Sequence, residues 1–239
     1  MALLDAETPP PQTAEYIPRL GRLASIPDPR NRAYRMAAAL EDWQTKPLPQ
    51  GKHWPLMAPI RDQGQTSSCV GHGAVAFLES TPIPQRKLPF TPYDLYRDIQ
   101  KVDEWPGEEP SYFGTSVHAA LRVLRDRGYC AEYRWAETPD EALRWLAFKS
   151  PLLIGVDWHQ GMFTADAQGF IHATGRVRGG HCVLVSGMSM RRSAVRLTNS
   201  WSSSWGQGGR AWLSFTDFER LLQAGGEIAA PTETKAPRL

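Results

Sequence analysis

From about residue 58 to residue 225 the hydrophobic positions fall into short segments with either helical or strand spacing. The segment from Cys69 to Glu79 is apolar and contains small residues, which predicts a buried helix packed closely against its neighbours. A second helix is predicted where apolar residues recur at steps of three and four, at Val117, Ala120, Leu121 and Leu124. Thr115 or Ser116 can cap its beginning, and Gly128 suits its end.

Two further helices begin with the pattern of a capping box, in which a Thr side chain and a Glu three residues later satisfy exposed backbone amides. The first box is Thr138 with Glu141, and the second is Thr216 with Glu219 before an end at Gly225. Apolar and β-branched runs predict strands at 152–158, 170–172, 182–187, 194–198 and 210–215. Because helices come early and strands late, the pattern predicts an α+β protein with two lobes.

The first fifty residues lack this periodicity because prolines interrupt them repeatedly. Only residues 32–43 have a spacing that allows one short helix. We interpret residues 1–50 as a Pro-rich N-terminal arm that either wraps the domain or occupies its cleft. Residues 51–225 are then a single domain, and residues 226–239 are a C-terminal tail.

Composition and charge exclude several classes of function. The 239 residues are 41% hydrophobic and 22% charged, which is ordinary for a globular protein. The net charge of +2 is too small and scattered to indicate a nucleic-acid partner. No apolar run is long enough to cross a membrane, and residues 1–15 lack a secretory signal pattern. We therefore expect no nucleic acid and no membrane as partners, and a location in the cytoplasm or in a virus particle.

The cysteines and histidines indicate thiol chemistry rather than metal binding. Three cysteines are an odd set, so at least one thiol is free of any bridge within the chain. This favours a reducing compartment or a reactive thiol. The cysteines and histidines lack the spacing of metal ligands, so no metal or organic cofactor is expected.

Three separated segments carry the residue types that nucleophilic catalysis by a thiol requires. Gln63 precedes Cys69 by six residues, within Pro59-Ile-Arg-Asp-Gln-Gly-Gln-Thr-Ser-Ser-Cys69. Further along, His181 follows two glycines and opens an apolar strand, and Asn199-Ser-Trp201 precedes a Gly-rich segment that begins with Trp205-Gly. This ordered set resembles the papain-like cysteine peptidase family, and the resemblance covers roughly residues 48–222.

Physical chemistry gives each of these residues a role. A thiol at the amino end of a helix, as Cys69 would be, has its thiolate stabilised by the helix dipole and by exposed amides. His181 is the candidate base, and Asn199 would orient its ring without adding a charge. The Gln63 side chain and the Cys69 amide would donate to the oxyanion of the intermediate. Trp201 would shield the histidine from water.

The resemblance implies a two-lobed fold, with a helical lobe carrying the nucleophile and an antiparallel, β-barrel-like lobe carrying the histidine and the asparagine. It also implies a thiol endopeptidase with a peptide or protein substrate. Gly114 and Gly180 would border the substrate cleft, with Trp201 beside it. The arrangement with Gly114-Thr-Ser116 and Gly128-Tyr-Cys130 looks more like compact bacterial or bacteriophage members of the family.

The sequence departs from the family pattern at three positions, where Thr66, Val70 and Ser202 replace a cysteine, an aromatic residue and a glycine. Two other functions remain open, the first because of the likeness to compact bacterial members and the second because of these departures. One is hydrolysis of the peptide cross-links of bacterial cell wall by the same chemistry. The other is a structural or binding component of a larger assembly such as a phage particle, with partners bound through the N-terminal arm.

Overall fold

The structure of the protein is a computed structural model that describes residues 20–26, 34–40, 43, 45–107, 109 and 112–233. Within these residues the helices are α1 Cys69–Leu78, α2 Pro92–Gln100, α3 Val117–Asp126, α4 Pro139–Phe148 and α5 Phe215–Gln223. The strands are β1 Arg22–Leu23, β2 Gly51–His53, β3 Thr115–Ser116, β4 Glu132–Trp135, β5 Leu152–His159, β6 Phe170–Ile171, β7 Val177–Ser189, β8 Ala194–Thr198, β9 Arg210–Ser214 and β10 Glu227–Thr232. Short 3-10 turns lie at Ala37–Ala39 and Gln160–Met162.

One lobe is built on a large sheet with strand order β4-β10-β5-β7-β8-β9-β6, to which β2 is added beside β7. Its pairs are antiparallel except for β6 with β9. The long strand β7 pairs with both β5 and β8, and it carries His181 opposite Val156 of β5. His181 is therefore held beside β5, and the pairing of β7 with β8 begins three residues later, at Leu184.

The other lobe contains α1, α2 and α3, and α1 also packs against β7 of the sheet lobe. Nearly every side chain of α1 is buried, as its apolar sequence predicts. Two glycines allow this close packing. A side chain at Gly71 would collide with the Pro92 carbonyl, and a Cβ at Gly73 would lie 3.0 Å from the Cys182 sulfur.

The structure confirms the two-lobed α+β prediction, and helices α1, α3 and α4 lie where the sequence places them. Ser116 caps α3, since its hydroxyl accepts from the Ala119 amide at 3.1 Å. The five predicted strands correspond to β5, β6, β7, β8 and β9. Strand β7 is longer than predicted because its two glycines pair with β5.

Two predicted capping boxes are wrong in detail. Thr138 caps α4, but the Glu141 carboxylate accepts from the Glu137 amide at 2.9 Å rather than from the cap residue. Helix α5 begins earlier than predicted, because Ser214 accepts from the Asp217 amide at 3.0 Å. Ser214 with Asp217 has the same spacing and the same hydroxyl and carboxylate groups as Thr216 with Glu219. The sequence is therefore compatible with two different first residues for this helix.

Helix α2, strands β4 and β10, and the short strands β1, β2 and β3 were not predicted. Strand β10 lies between β4 and β5, and its residues 228–230 are buried. The limit predicted at residue 225 thus falls just before a strand that belongs to the core. Pro231 disguises this strand, because proline is unusual inside a sheet. In the described part of the chain, no helix is both long enough and apolar enough to cross a membrane.

Candidate active site

Cys69 is the first residue of α1 and is fully buried. Burial raises the pKa of its thiol to about 12, because a thiolate there has lost its water. The backbone amides of Cys182, Val70 and Gly21 act in the opposite direction and lower this pKa. Since Cys182 directly follows His181, the thiol at the start of α1 faces the strand that carries the predicted base.

His181 is also fully buried, and its orientation is defined by one hydrogen bond. Its Nε2 donates to Asn199 Oδ1 at 2.8 Å, and the same oxygen accepts from the Ser200 amide at 2.8 Å. Two donors on this atom identify it as the amide oxygen, so Nε2 carries the proton. Nδ1 is buried without a hydrogen-bond partner among the described residues, and it is the free basic nitrogen.

Aromatic rings enclose the imidazole. Trp201 lies 4.7 Å from the His181 ring at 30°, and Trp158 lies 4.7 Å away at 77°. Phe163 stacks on Trp201 at 5.4 Å, and Trp205 meets it edge-on. This enclosure excludes water, and burial lowers the pKa of His181 to about 4, against a smaller raising effect of the Asn199 bond.

Gln63 is tied to the same segment as the asparagine. Its backbone amide donates to Ser200 O at 2.8 Å, and its side-chain Oε1 accepts from Ser200 Oγ at 2.7 Å. Its Nε2 donates one hydrogen to Thr66 O at 2.8 Å. The loop before Cys69 is therefore held to the loop after Asn199, and the second Nε2 hydrogen has no protein acceptor among the described contacts.

These features match a known architecture. The structure is similar to xylellain, a cysteine protease from Xylella fastidiosa, with a TM-score of 0.70, 16% identity, and coverage of 92% of this chain and 97% of that one. The chain has the papain-like fold. It is also similar to procathepsin B S9 from Trypanosoma congolense, with a TM-score of 0.64, 16% identity, and coverage of 90% and 87%. For procathepsin L 3 of the Tenebrio molitor larval midgut the corresponding values are 0.62, 15%, 90% and 76%.

No protein-family model and no curated protein matches the sequence. The likeness therefore rests on the fold, which brings together residues that are far apart in the chain. Among the predicted site residues, Cys69, His181 and Asn199 lie where the helical lobe of the papain-like fold meets its sheet. Gln63 and Trp201 lie beside them.

Residues 20–26 of the N-terminal arm lie in the cleft of this papain-like fold. The Gly21 amide donates to Gly180 O at 2.9 Å, and the Thr115 amide donates to Gly21 O at 2.9 Å. Strand β1 of the arm thus runs parallel to β3 on one wall and is tied to β7 on the other. The arm closes the cleft directly over Cys69.

The two predicted cleft glycines are where the arm comes closest. A side chain at Gly114 would collide with the Gly21 carbonyl, and one at Gly180 would collide with the Arg22 carbonyl. Gly21 is equally constrained, because a side chain there would collide with the Ser67 carbonyl. Both walls are therefore shaped to receive an extended main chain.

Sequence analysis missed four residues around the site. Trp158 ends a predicted strand and Ser200 lies within the Asn-Ser-Trp motif, so their positions were known but their contacts were not. Arg22 and Glu227 meet beside the cleft, although they are separated by most of the chain. No local pattern in the sequence indicates that pair.

His72, the other histidine near the thiol, has a structural role. It lies on α1, and its Nδ1 is within 3.0 Å of Ser68 O, which it can reach only as a donor. Within the described residues no group of three or more potential ligands is arranged to hold a metal ion.

Proposed function

We propose that the protein is a cysteine endopeptidase in which Cys69 is the nucleophile, His181 the general base and Asn199 the residue that positions the imidazole. The observation that supports this most directly is the hydrogen bond from His181 Nε2 to Asn199 Oδ1 at 2.8 Å. It leaves the buried Nδ1 as the proton acceptor. The backbone amide of Cys182 near the Cys69 sulfur supports the same pairing.

The chemistry follows from these groups. Nδ1 of His181 takes the thiol proton, and the thiolate of Cys69 attacks the carbonyl carbon of the peptide. The Cys69 amide and the free Nε2 hydrogen of Gln63 donate to the oxygen that becomes negative. The imidazolium returns its proton to the leaving amine, and water then hydrolyses the thioester with His181 again as base.

The arm must leave the cleft before this reaction begins. With the arm in place both reactive groups are buried, and a neutral thiol beside a neutral imidazole is favoured over the ion pair. Withdrawal of residues 20–25 admits water to both groups. The thiol pKa then falls, the imidazole pKa rises, and the charged pair becomes accessible.

Covalent labelling of the full chain tests the proposal. A peptidyl epoxide that alkylates activated thiols is added to the natural protein and to Gly21→Ala, whose added methyl group collides with the Ser67 carbonyl and disfavours the closed arm. We expect an adduct at Cys69, located by peptide mapping, that forms at least about tenfold faster in Gly21→Ala. Hydrolysis of a quenched fluorescent peptide should rise in parallel and disappear in Cys69→Ala.

Gly51→Ala is the matched control, since its methyl group meets only the Met188 carbonyl at 3.3 Å, outside the cleft. The buried thiols of Cys130 and Cys182 have raised pKa values and should stay unlabelled. A folded Gly21→Ala protein that neither labels at Cys69 nor cleaves any peptide would contradict the proposal. Bacterial or phage origin and assembly partners remain predictions from sequence.

A further inference from the structure

One face of the large sheet has a basic patch that the proposed reaction does not use. Its members are His53, Arg192, Arg196, Arg210 and Trp212. In the pairing register, His53 of β2 lies opposite Gly187 of β7, and Gly187 lies opposite Arg196 of β8. Arg196 in turn lies opposite Trp212 of β9. Because directly opposite residues project from the same side of a sheet, these side chains form one row across four strands.

Three arginines gather around the indole ring of this row. The Arg192 guanidinium lies 5.1 Å from the centre of the Trp212 ring, and the Arg196 guanidinium lies 5.9 Å from it. Arg192 also lies 5.9 Å from the Phe170 ring. Arg210 precedes Trp212 by two residues on β9, so it projects from the same face as Trp212 and lies diagonally across from Arg196. Contacts with the rings hold the guanidinium groups against the sheet.

These arginines have no acidic partner in the part of the chain that the structure describes. Arg192 donates to the Gln168 carbonyl at 3.3 Å, and Arg210 donates to the Gly208 carbonyl at 3.2 Å. Within the described residues Arg196 has neither an ion pair nor a side-chain hydrogen bond, and its side chain is partly exposed. The patch therefore presents guanidinium donors that a carboxylate from another molecule can reach.

The positive groups of the patch destabilise one another. Burial, and after it the charge of Arg210, lower the pKa of Arg196. The pKa of His53 is lowered first by partial burial and then by the charge of Arg196. Asp166, in the loop before β6, accepts from two backbone amides and is hydrogen-bonded to His172. An anion placed among the positive groups would remove this repulsion.

We propose that the basic patch is a docking surface, outside the cleft, for an acidic segment of the protein substrate. The inference rests on the proposed peptidase function. Guanidinium groups bind carboxylates through two parallel hydrogen bonds, and the ring of Trp212 offers a contact for an apolar residue within the segment. A nucleic acid fits the chain less well, because a net charge of +2 gives no broad positive field for a phosphate backbone.

The patch is connected to the candidate active site through β8 and β9. Arg196 stands three residues before Asn199, which corresponds to about 10 Å along an extended strand. Arg210 follows Gly209, whose carbonyl accepts from the Asn199 amide at 3.0 Å. A substrate chain that leaves the cleft can therefore reach the patch through a linker of several residues.

A binding measurement tests the patch without any cleavage. The full chain with Cys69→Ala is titrated with the peptide fluorescein-Gly-Glu-Asp-Glu-Asp-Glu-Phe-Gly-amide, and with an analogue in which Gln and Asn replace Glu and Asp. Fluorescence anisotropy should show at least about tenfold tighter binding of the acidic peptide at about 50 mM salt. The preference should shrink severalfold at about 300 mM salt, because the charges are screened.

Three double variants of the same chain locate the binding. Arg196→Gln with Arg210→Gln should abolish the preference for the acidic peptide. Arg196→Lys with Arg210→Lys keeps both charges and should retain most of it, which distinguishes loss of charge from loss of structure. Arg86→Gln with Lys87→Gln is the matched control, since it removes two charges from exposed positions in the loop before α2 and should leave the preference unchanged.

A kinetic measurement connects the patch to the proposed reaction. Two quenched fluorescent peptides share one cleavable core, and one of them also has the acidic sequence after a flexible linker of eight residues. With the full chain carrying Gly21→Ala, the acidic extension should lower KM at least about fivefold with kcat unchanged, because docking away from the reacting atoms contributes uniform binding. Adding Arg196→Gln and Arg210→Gln should remove this difference and leave cleavage of the short peptide unchanged.

The two measurements distinguish failure of the patch from failure of the peptidase. Selective binding of the acidic peptide that depends on Arg196 and Arg210 supports the patch even if no peptide is cleaved. Equal binding of the acidic and neutral peptides overturns the inference and leaves the proposed peptidase intact. Tighter binding of an oligothymidylate with the same number of charges than of the acidic peptide also overturns it, because the patch would then select phosphates rather than carboxylates.

Discussion

The two lobes hold their reactive side chains in different ways. Cys69 is positioned by main chain, because it is the first residue of a helix whose small residues let it pack closely on the sheet. His181 is positioned by side chains, through one bond to Asn199 and rings on two sides from Trp158 and Trp201. The position of the sulfur therefore depends on backbone packing, whereas that of the imidazole depends on a cage that a single substitution can open.

This difference predicts where substitutions separate stability from activity. Removing the sulfur takes one atom from a buried site, so Cys69→Ala should change stability little while abolishing hydrolysis. Substitutions in the aromatic cage should change both, because the rings are part of the core and also exclude water from the base. The arm contacts both lobes, since Gly21 bonds to Thr115 on one side and to Gly180 on the other.

The largest effect on stability is expected for Trp201→Ala. The ring is 2% exposed and contacts His181, Trp158 and Phe163, so its removal leaves a large cavity. We expect a loss of about 3–5 kcal/mol in the free energy of unfolding, the usual range for a buried aromatic residue. Denaturant unfolding followed by circular dichroism measures it.

Trp212→Ala is the matched control for the cage. Trp212 lies on β9, on the face opposite to that of the buried Ala211 and Leu213. It is only partly buried, and the Arg192 guanidinium lies over its ring at 5.1 Å. Its loss should cost clearly less than the loss of Trp201. Equal losses for the two variants would show that the ring beside His181 has no special place in the core, and the contrast between the two lobes would fail.

A second prediction concerns pH and the buried imidazole. The folded pKa of His181 is about 4, below the unfolded value of 6.5, so between these values the unfolded chain binds more protons. The contribution of His181 is therefore complete above pH 6.5 and is lost as pH falls towards 4. The shift corresponds to about 3 kcal/mol across that window.

Comparison with His181→Gln isolates this contribution from those of other groups. The pKa values of His72 and His53 are also lowered by burial, and they affect both proteins alike. Between pH 7 and pH 4 the natural chain should lose about 3 kcal/mol more unfolding free energy than the variant loses. Parallel pH profiles for the two proteins would mean that His181 is not held neutral by burial.

The sequence predicts the fold and the cleft residues well where the signal is local or ordered along the chain. The helix that begins at Cys69 has a clear apolar pattern, and Gln63, His181 and Asn199 stand at intervals that resemble the papain-like family. The structure places all four in one region. Strand β10 was missed because a proline interrupts its pattern.

Contacts between distant segments had no such signal. Arg22 and Glu227 are 205 residues apart, and neither stands in a motif. The path of the arm depends on the absence of side chains at Gly21, Gly114 and Gly180, and each of these glycines taken alone predicts only a turn or a loop. Pairing of the arm with both walls is a tertiary property that appears only when the lobes are assembled.

The smallest effect is expected where the two lobes share a hydrogen bond near Gln63. Ser200 Oγ donates to Gln63 Oε1 at 2.7 Å, which keeps the amide nitrogen turned towards Thr66 O and the thiol side of the loop. Ser200→Ala removes this bond, and a neutral hydrogen bond contributes about 1 kcal/mol. If Gln63 donates to the oxyanion, kcat should fall about fivefold with little change in KM, because the lost interaction acts in the transition state.

Two variants distinguish this positioning role from a loss of structure. Ser200→Thr keeps the hydroxyl and should recover most of kcat, while Ser204→Ala removes an exposed hydroxyl bonded only to Ser202 and should have no effect. A rise in KM at constant kcat in Ser200→Ala would assign Gln63 to substrate binding instead. In that case the sheet lobe would orient only the base, His181. Oxyanion stabilisation would then depend on the Cys69 amide at the start of α1.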